Sequence, residues 1–244
     1  MRYLKAKQVY FRLWFWLVKR RVDKHNALPL RTLLGAFQQP ACRRASLLGA
    51  DTFFFLNQIG CLNDLGWNGS STTKLWCYNQ HYFDDLNALD ATERKGWHQA
   101  LLLRWIAENP VAHGAGWEPY PTSLRIVNWV KWQHAGNSLP EACVLSLSVQ
   151  ARWLYHRIEW HILGNHLFAN AKALVFAGLF FSGEESRCWL NKGLQIVNKE
   201  LTEQVLTDGG HFERSPMYHS IFLEDLLDLI NLATAFQTEI PQVH

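Results

Sequence analysis

Residues 164–181 read GNHLFANAKALVFAGLFF, and this stretch decides the class of fold. After the opening Gly164-Asn165-His166, apolar side chains occupy nearly every position around the 3.6-residue period. The segment therefore predicts a helix over 166–181 that is buried on all sides by other helices. Such a helix needs amphipathic neighbours, and the chain supplies them. A helix expected at 145–162 is striped by Leu147, Leu154, Ile158 and Ile162, and one at 188–206 by Leu190, Leu194, Val197, Leu201 and Val205. Ser215-Pro216 suits a helix start, serine as N-cap and proline at the next position, for a last helix running to Phe236.

Upstream, a helix is expected at 92–108, with Trp97, Leu101 and Trp105 at four-residue steps, stopped by Asn109-Pro110. A shorter helix is expected at 80–89, and Pro121 suits the first turn of another that carries Leu124, Val127 and Trp132. Residues 51–62 are rich in Phe and read as extended, and residues 63–73, with Gly66, Gly69, Ser70 and Ser71, read as a loop. Near the N-terminus, Tyr10, Leu13, Trp14, Leu17 and Val18 follow helical spacing among basic residues, which suits a peripheral helix packed by its aromatics or a membrane-surface helix. The expected organisation is an N-terminal helix and connecting segment over 1–50, short and irregular or extended, followed by an all-α domain of antiparallel helical hairpins over 51–244.

Composition narrows the function classes. The 48% hydrophobic content is that of a folded domain, and a net charge of +3 is too small to argue for nucleic acid. Five widely spaced cysteines without a C-x-x-C pair indicate neither a disulfide framework nor a zinc knuckle. No apolar run reaches the roughly 18–20 residues that span a bilayer. No signal peptide is legible, because Arg12 interrupts the N-terminal apolar patch and no small-residue cleavage site follows. No cofactor is expected, and the histidines lack the i, i+4 spacing with an intervening glutamate that marks a zinc helix.

Two short pieces carry chemistry. Asn165 and His166 open the buried helix, with Asn170 one turn on. Free backbone N–H groups and the helix dipole favour an anion there, and the amide and imidazole add donors, so together they suit a carboxylate. The same residues also suit a plain N-cap and a satisfied helix-end histidine. Tyr218 stands in the first turn of the last helix, flanked by His211, Glu213, Arg214 and His219, where a phenol is placed to exchange a proton with a ligand or simply to fill the rim of the core.

Four blocks in order, LWCYNQHYFDDL (75–86), GWEPYPTSLRIVNWVKW (116–132), IEWHILGNHLFANAKALVFAGLFF (158–181) and LTEQVLTDGGHFERSPMYHSIFLEDLLDLINL (201–232), resemble the N-terminal helical part of heparinase II/III polysaccharide lyases. The resemblance implies an incomplete α/α toroid, which in the family leads into a C-terminal β-sandwich, and cleavage of uronic-acid polysaccharides by β-elimination. Asn165 and His166 match the family's carboxylate-neutralising positions and Tyr218 its catalytic tyrosine. Trp117, Glu118, Tyr120 and Arg125, together with His211, Glu213, Arg214 and His219, become candidates for substrate binding.

The family's second acid/base residue, usually a histidine of the β-sandwich, has no counterpart before His244. This leaves a catalytic reading beside a non-catalytic acidic-glycan-binding module or a remnant of a split lyase. The expected partners are an acidic polysaccharide, heparin- or heparan-sulfate-like or related, and a separately encoded β-sandwich. The cytoplasm is the default compartment, although relatives are often periplasmic.

Overall fold

The computed structural model describes residues 10–13, 22–24, 26–69 and 71–238. Of the expected N-terminal helix, residues 10–13 are helical, and its remaining positions lie outside the described residues. The fold is predominantly α-helical, as expected. Its described residues form two compact units, one within 24–27 and 39–150, the other within 1–23, 28–38 and 151–244.

In the first unit the Phe-rich stretch folds as a hairpin, β1 (Thr52–Phe55) antiparallel to β2 (Gln58–Cys61), with Leu56 and Asn57 at positive φ in the turn. A single turn, α1 (Leu62–Leu65), follows. α2 (Lys74–Tyr82) begins earlier than periodicity suggests because Thr73 caps it, accepting the amide of Trp76. It ends at Phe83, whose φ of 61° turns the chain into a 3-10 segment over Asp84–Asn87. α3 (Lys95–Glu108) ends at Asn109, as the Asn-Pro stop predicts, and α4 (Pro119–His134) starts two residues before Pro121, with Glu118 as its N-cap. Trp76, Trp105, Trp129 and Trp132 fill this unit's core.

That core is laced by polar groups with internal partners. The Arg125 guanidinium, 0% exposed, lies 3.8 Å over the Trp105 ring. It donates to Gln150 Oε1 at 2.9 Å, the His81 carbonyl at 3.3 Å and Thr122 Oγ1 at 3.4 Å. His81 accepts the Trp105 indole N–H on Nδ1 and bonds the Trp67 carbonyl through Nε2, which fixes the neutral Nε2–H tautomer. Burial, then the Arg125 charge, hold its imidazole down at about 3. Burial pushes the Asp85 carboxyl up, yet bonds from His98, Arg94 and the amides of Leu47 and Ser46 outweigh it and hold the group at about 2.

α5 (Glu141–His156) leads into the second unit, where α6 (Gly164–Phe180), α7 (Glu184–Gln204) and α8 (Pro216–Phe236) follow. α6 is buried continuously from Leu167 to Phe180, as its sequence demands. α7 runs back against it. Gly178 faces Leu190, and Gly193 faces Ala171 and Val175, so closely that a Cβ on either glycine would come within 3 Å of backbone atoms. The two helices approach at their backbones because these positions have no side chain.

α8 runs the same way as α6. Phe168 meets Phe222 with ring centroids 4.4 Å apart, and further along Lys172 Nζ contacts Asp225 at 2.6 Å and Asp228 at 2.5 Å. Burial alone would lower the Lys172 ammonium's pKa, but the two carboxylates outweigh it and raise it. At the far ends, residues 28–38 tie the same helices down: the Arg31 amide donates to the Phe180 carbonyl, those of Leu34 and Gly35 to the Ala235 carbonyl, and that of Gln38 to the Asn231 side chain. The order is thus a buried helix, an outer amphipathic return, and a third helix parallel to the first.

Candidate active site

Because α6 and α8 are parallel, their N-terminal turns lie at the same end of the second unit. The turn into α6 is made by two consecutive residues at positive φ, Leu163 at 67° and Gly164 at 53°. Leucine in this region costs about 1–3 kcal/mol and persists only where surrounding contacts enforce it. Ile162 and Leu163 return their amides to the Glu159 carbonyl, and this closed turn sets Asn165 and His166 on the first turn of the helix. The N-cap position falls on Leu163 without a side-chain cap, so Asn165 is not the N-cap that its residue type also allowed. Its half-buried amide has no hydrogen-bond partner among the described residues.

His166 is oriented from behind. Its Nδ1 lies 3.2 Å from Glu159 Oε2, and 34% of its side chain is exposed. Asn170, fully buried one turn on, donates to the same Glu159 oxygen at 3.3 Å and accepts the Glu159 amide at 2.8 Å. Glu159 is the residue that sequence reasoning missed. No motif in the sequence connects it with His166 or Asn170.

Tyr218 is delivered by a tight return after α7. Gly209, at a φ of 82°, turns the chain so that the Phe212 amide reaches the Gln204 carbonyl and His211 pairs with Val205. Ser215 then caps α8 by accepting the Tyr218 amide, as the Ser-Pro start predicts. His211 is buried beneath the tyrosine, the two rings stacked with centroids 6.2 Å apart and 27° between planes. Its Nδ1 accepts the Glu213 amide at 3.3 Å and its Nε2–H donates to Gln204 Oε1 at 3.2 Å. Burial holds this imidazole below its ordinary value against the opposing pull of Glu213. His211 thus supports the Tyr218 ring as a neutral side chain.

The two mouths touch. A Cβ on Gly164 would lie 3.9 Å from Glu213 Oε1, and Phe222, one turn beyond Tyr218, packs against both Phe168 and His211. Asn165, His166, Tyr218, His211 and Glu213 therefore belong to one neighbourhood. Arg214, at a φ of 53°, and His219 are exposed beside it.

The candidates in the other unit have different surroundings. Arg125 has no exposed surface to offer a polymer. Trp117, at 3% exposure, lines a cavity of about 170 Å³ with Trp105, Leu145 and Val149 and gives its indole N–H to the Asn109 carbonyl. Glu118 is held by Lys74 at 2.9 Å and by the Tyr78 hydroxyl, and half-buried Tyr120 packs edge-on against Tyr82. No group of three or more metal-ligating side chains occurs among the described residues, and none of their helices is long and apolar enough to cross a membrane.

A family model described as Heparinase II/III N-terminus matches residues 87–244, more than half of the chain. The chain belongs to the heparinase II/III N-terminus family. Three relatives are each described as heparin-sulfate lyase. The one from Bacteroides stercoris is 37% identical over 97 residues, 36% of this chain and 15% of the relative. That from Bacteroides thetaiotaomicron is 30% identical over 149 residues, 56% of this chain and 21% of the relative. The third, from Pedobacter heparinus, is 34% identical over 82 residues, 32% of this chain and 12% of the relative. The heparinase II/III N-terminus segment seen here thus spans about a fifth or less of the length of each. A solved structure titled Crystal Structure of Heparinase III superimposes with a TM-score of 0.56 at 24% identity, covering 75% of this chain and 30% of that one, and it shows the shared helical fold.

Proposed function

We propose that this chain is the helical part of a polysaccharide lyase and engages a uronic-acid-containing acidic polysaccharide, heparan-sulfate-like or related, at the paired mouths of α6 and α8. The observation that carries the reading is the placement of Asn165 and His166 on the first turn of one helix and Tyr218 on the first turn of its parallel neighbour. The relatives described as heparin-sulfate lyase support the substrate class.

β-Elimination breaks the C5–H and C4–O bonds of a uronate and forms a C4–C5 double bond. Removing the C5 proton places negative charge beside a carboxylate, so that carboxylate must first be neutralised. The Asn165 amide, an N–H of the His166 ring and the free backbone N–H groups of the α6 mouth supply the donors. Acting as the phenolate, the Tyr218 oxygen takes the C5 proton to become the phenol and delivers that proton to the departing C4 oxygen, so the proton is conserved and the phenolate is restored. Trp117, Glu118, Tyr120 and Arg125 have no assigned part in this scheme, whereas Glu213, Arg214 and His219 rim the mouth.

The test is incubation of the full chain with heparan sulfate and a panel of other uronate polysaccharides, following the ultraviolet absorbance of the unsaturated product and, separately, binding. Saturable binding with product formation, and a loss of turnover of about 10²- to 10⁴-fold in Tyr218→Phe with binding retained, is the expected result. Binding without product would favour an acidic-glycan-binding module, and no binding to any uronate polymer would overturn the proposal.

A further inference from the structure

We infer that Gln204, the last residue of α7, is a positioning residue for Tyr218: its side chain, oriented by Glu200, locks the His211 ring on which the tyrosine is stacked. The inference rests on the reading of Tyr218 as the proton-transfer group and adds what holds the phenol in place.

Glu200, Gln204 and His211 are 2%, 1% and 5% exposed, so bulk water does not stand in for a missing partner among them. Gln204 Nε2 donates to Glu200 Oε2 at 2.8 Å, one helical turn back. On its other side Gln204 Oε1 lies 3.2 Å from His211 Nε2, and the opposite ring nitrogen, Nδ1, accepts the Glu213 amide at 3.3 Å.

The direction of every bond in this chain follows from one fixed donor. A backbone amide only donates, so His211 Nδ1 is the acceptor and the neutral ring carries its proton on Nε2. That N–H needs an acceptor, which Gln204 supplies only with Oε1 turned to the ring. Its NH2 group then faces Glu200, where a carboxyl oxygen accepts. A reversed Gln204 amide would set N–H against N–H at the ring, so Glu200 selects the orientation from the far end.

His211 in turn ties the loop before α8 to α7. Its carbonyl accepts the Arg214 amide at 2.9 Å, and the neighbouring Phe212 amide reaches the Gln204 carbonyl at 2.9 Å. Its ring meets those of Phe212, Phe222 and Tyr218 with centroids 4.9, 5.3 and 6.2 Å apart. Aromatic contacts alone leave a ring free to slide and turn, whereas the Gln204 bond fixes its edge to a helix. Gln204 has no exposed surface for a ligand and acts on Tyr218 only through His211. A displacement of about 1 Å at a reacting group costs roughly 10²-fold in rate, so the anchor bears on turnover and not on substrate affinity.

The direct test is NMR of the full-length chain, with nitrogen-15 signals reporting the proton on each His211 ring nitrogen and proton–proton contacts reporting the His211–Tyr218 stack. The wild type is expected to carry Nε2–H with Nδ1 unprotonated. Gln204→Met is expected to mix the two tautomers and weaken the ring–ring contacts, with kcat on heparan sulfate falling about tenfold at KM within about twofold of wild type. His211→Phe keeps the ring but not its polar edge, and combined with Gln204→Met it loses no more kcat than the larger single loss. Should Gln204→Met fail to fold, Gln204→Asn is one methylene shorter and withdraws its oxygen from the ring, with the same losses expected. A proton on Nδ1 in the wild type, or unchanged ring–ring contacts in a folded Gln204 variant, overturns the inference, as does unchanged kcat in an active chain. If the wild type cleaves no uronate polymer, the lyase reading fails while the ring-nitrogen signals and ring–ring contacts still decide the role of Gln204.

Discussion

Arg125 in one unit and His166 in the other are nitrogen-rich side chains on largely buried helices, and their surroundings differ in kind. Arg125 is fully enclosed, with three acceptors and an aromatic face around it. His166 meets Glu159 through Nδ1 and has 34% of its side chain exposed. The same contrast holds between His81, bonded at both nitrogens inside the core, and Tyr218, stacked on His211 while still half-buried. A polar group whose capacity is met from within serves the fold. A polar group braced from behind and open in front is available to a ligand, and residue type alone does not separate the two.

The comparison is broken or sharpened most strongly at Arg125. Arg125→Leu leaves the Gln150 oxygen and the His81 carbonyl without their donor, so we expect a loss of about 4 kcal/mol by urea unfolding with heparan sulfate affinity unchanged in the folded protein. Lost affinity at unchanged stability would place Arg125 in the site after all. Lys172→Met comes next. It leaves Asp225 and Asp228 as uncompensated neighbours and is expected to cost about 3 kcal/mol in the same measurement. Because the Lys172 ammonium has a raised pKa, its contribution is full below its ordinary value of 10.5 and fades as pH rises beyond it.

A smaller effect is expected at Asp85. Its carboxyl is held at about 2, below the ordinary 3.8, so its stabilisation is present above 3.8 and is lost as pH falls toward 2. Asp85→Asn should cost about 2 kcal/mol at neutral pH, with the gap to wild type closing across that acid window in chemical-denaturation curves. Least affected in stability is Asn165→Ala, for which a change within about 0.5 kcal/mol is expected. Its weakened heparan sulfate binding, read by calorimetry, would set the helix mouth apart from the core. A large stability loss would make Asn165 a structural residue.

The all-round apolar pattern of α6 and the Ser-Pro start of α8 made the fold class and both helix mouths readable from sequence, to within two residues at the start of α6. Other boundaries were hidden for physical reasons. α2 ends at Phe83, which adopts a left-handed conformation without the glycine or proline that would announce it. α5 stops at His156, six residues before its apolar stripe ends, because Glu159 is drawn into a tertiary bond with Asn170 that no local pattern encodes. For the same reason the sequence places Asn165, His166 and Tyr218 at the two helix starts but not the groups that contact two of them: Glu159 beside His166 and His211 beneath Tyr218 act through side-chain contacts. Arg125 misled in the opposite direction, since arginine reads as surface and only the fold shows it enclosed against Trp105.

The central claim is tested most directly by a crystal structure of the chain with a uronate-containing tetrasaccharide. The account predicts one sugar carboxylate within hydrogen-bond distance of the Asn165 amide and the His166 ring, with C5 of that sugar facing the Tyr218 hydroxyl. An ordered oligosaccharide seated away from the α6 and α8 mouths, or one whose carboxylate points to solvent, would contradict it.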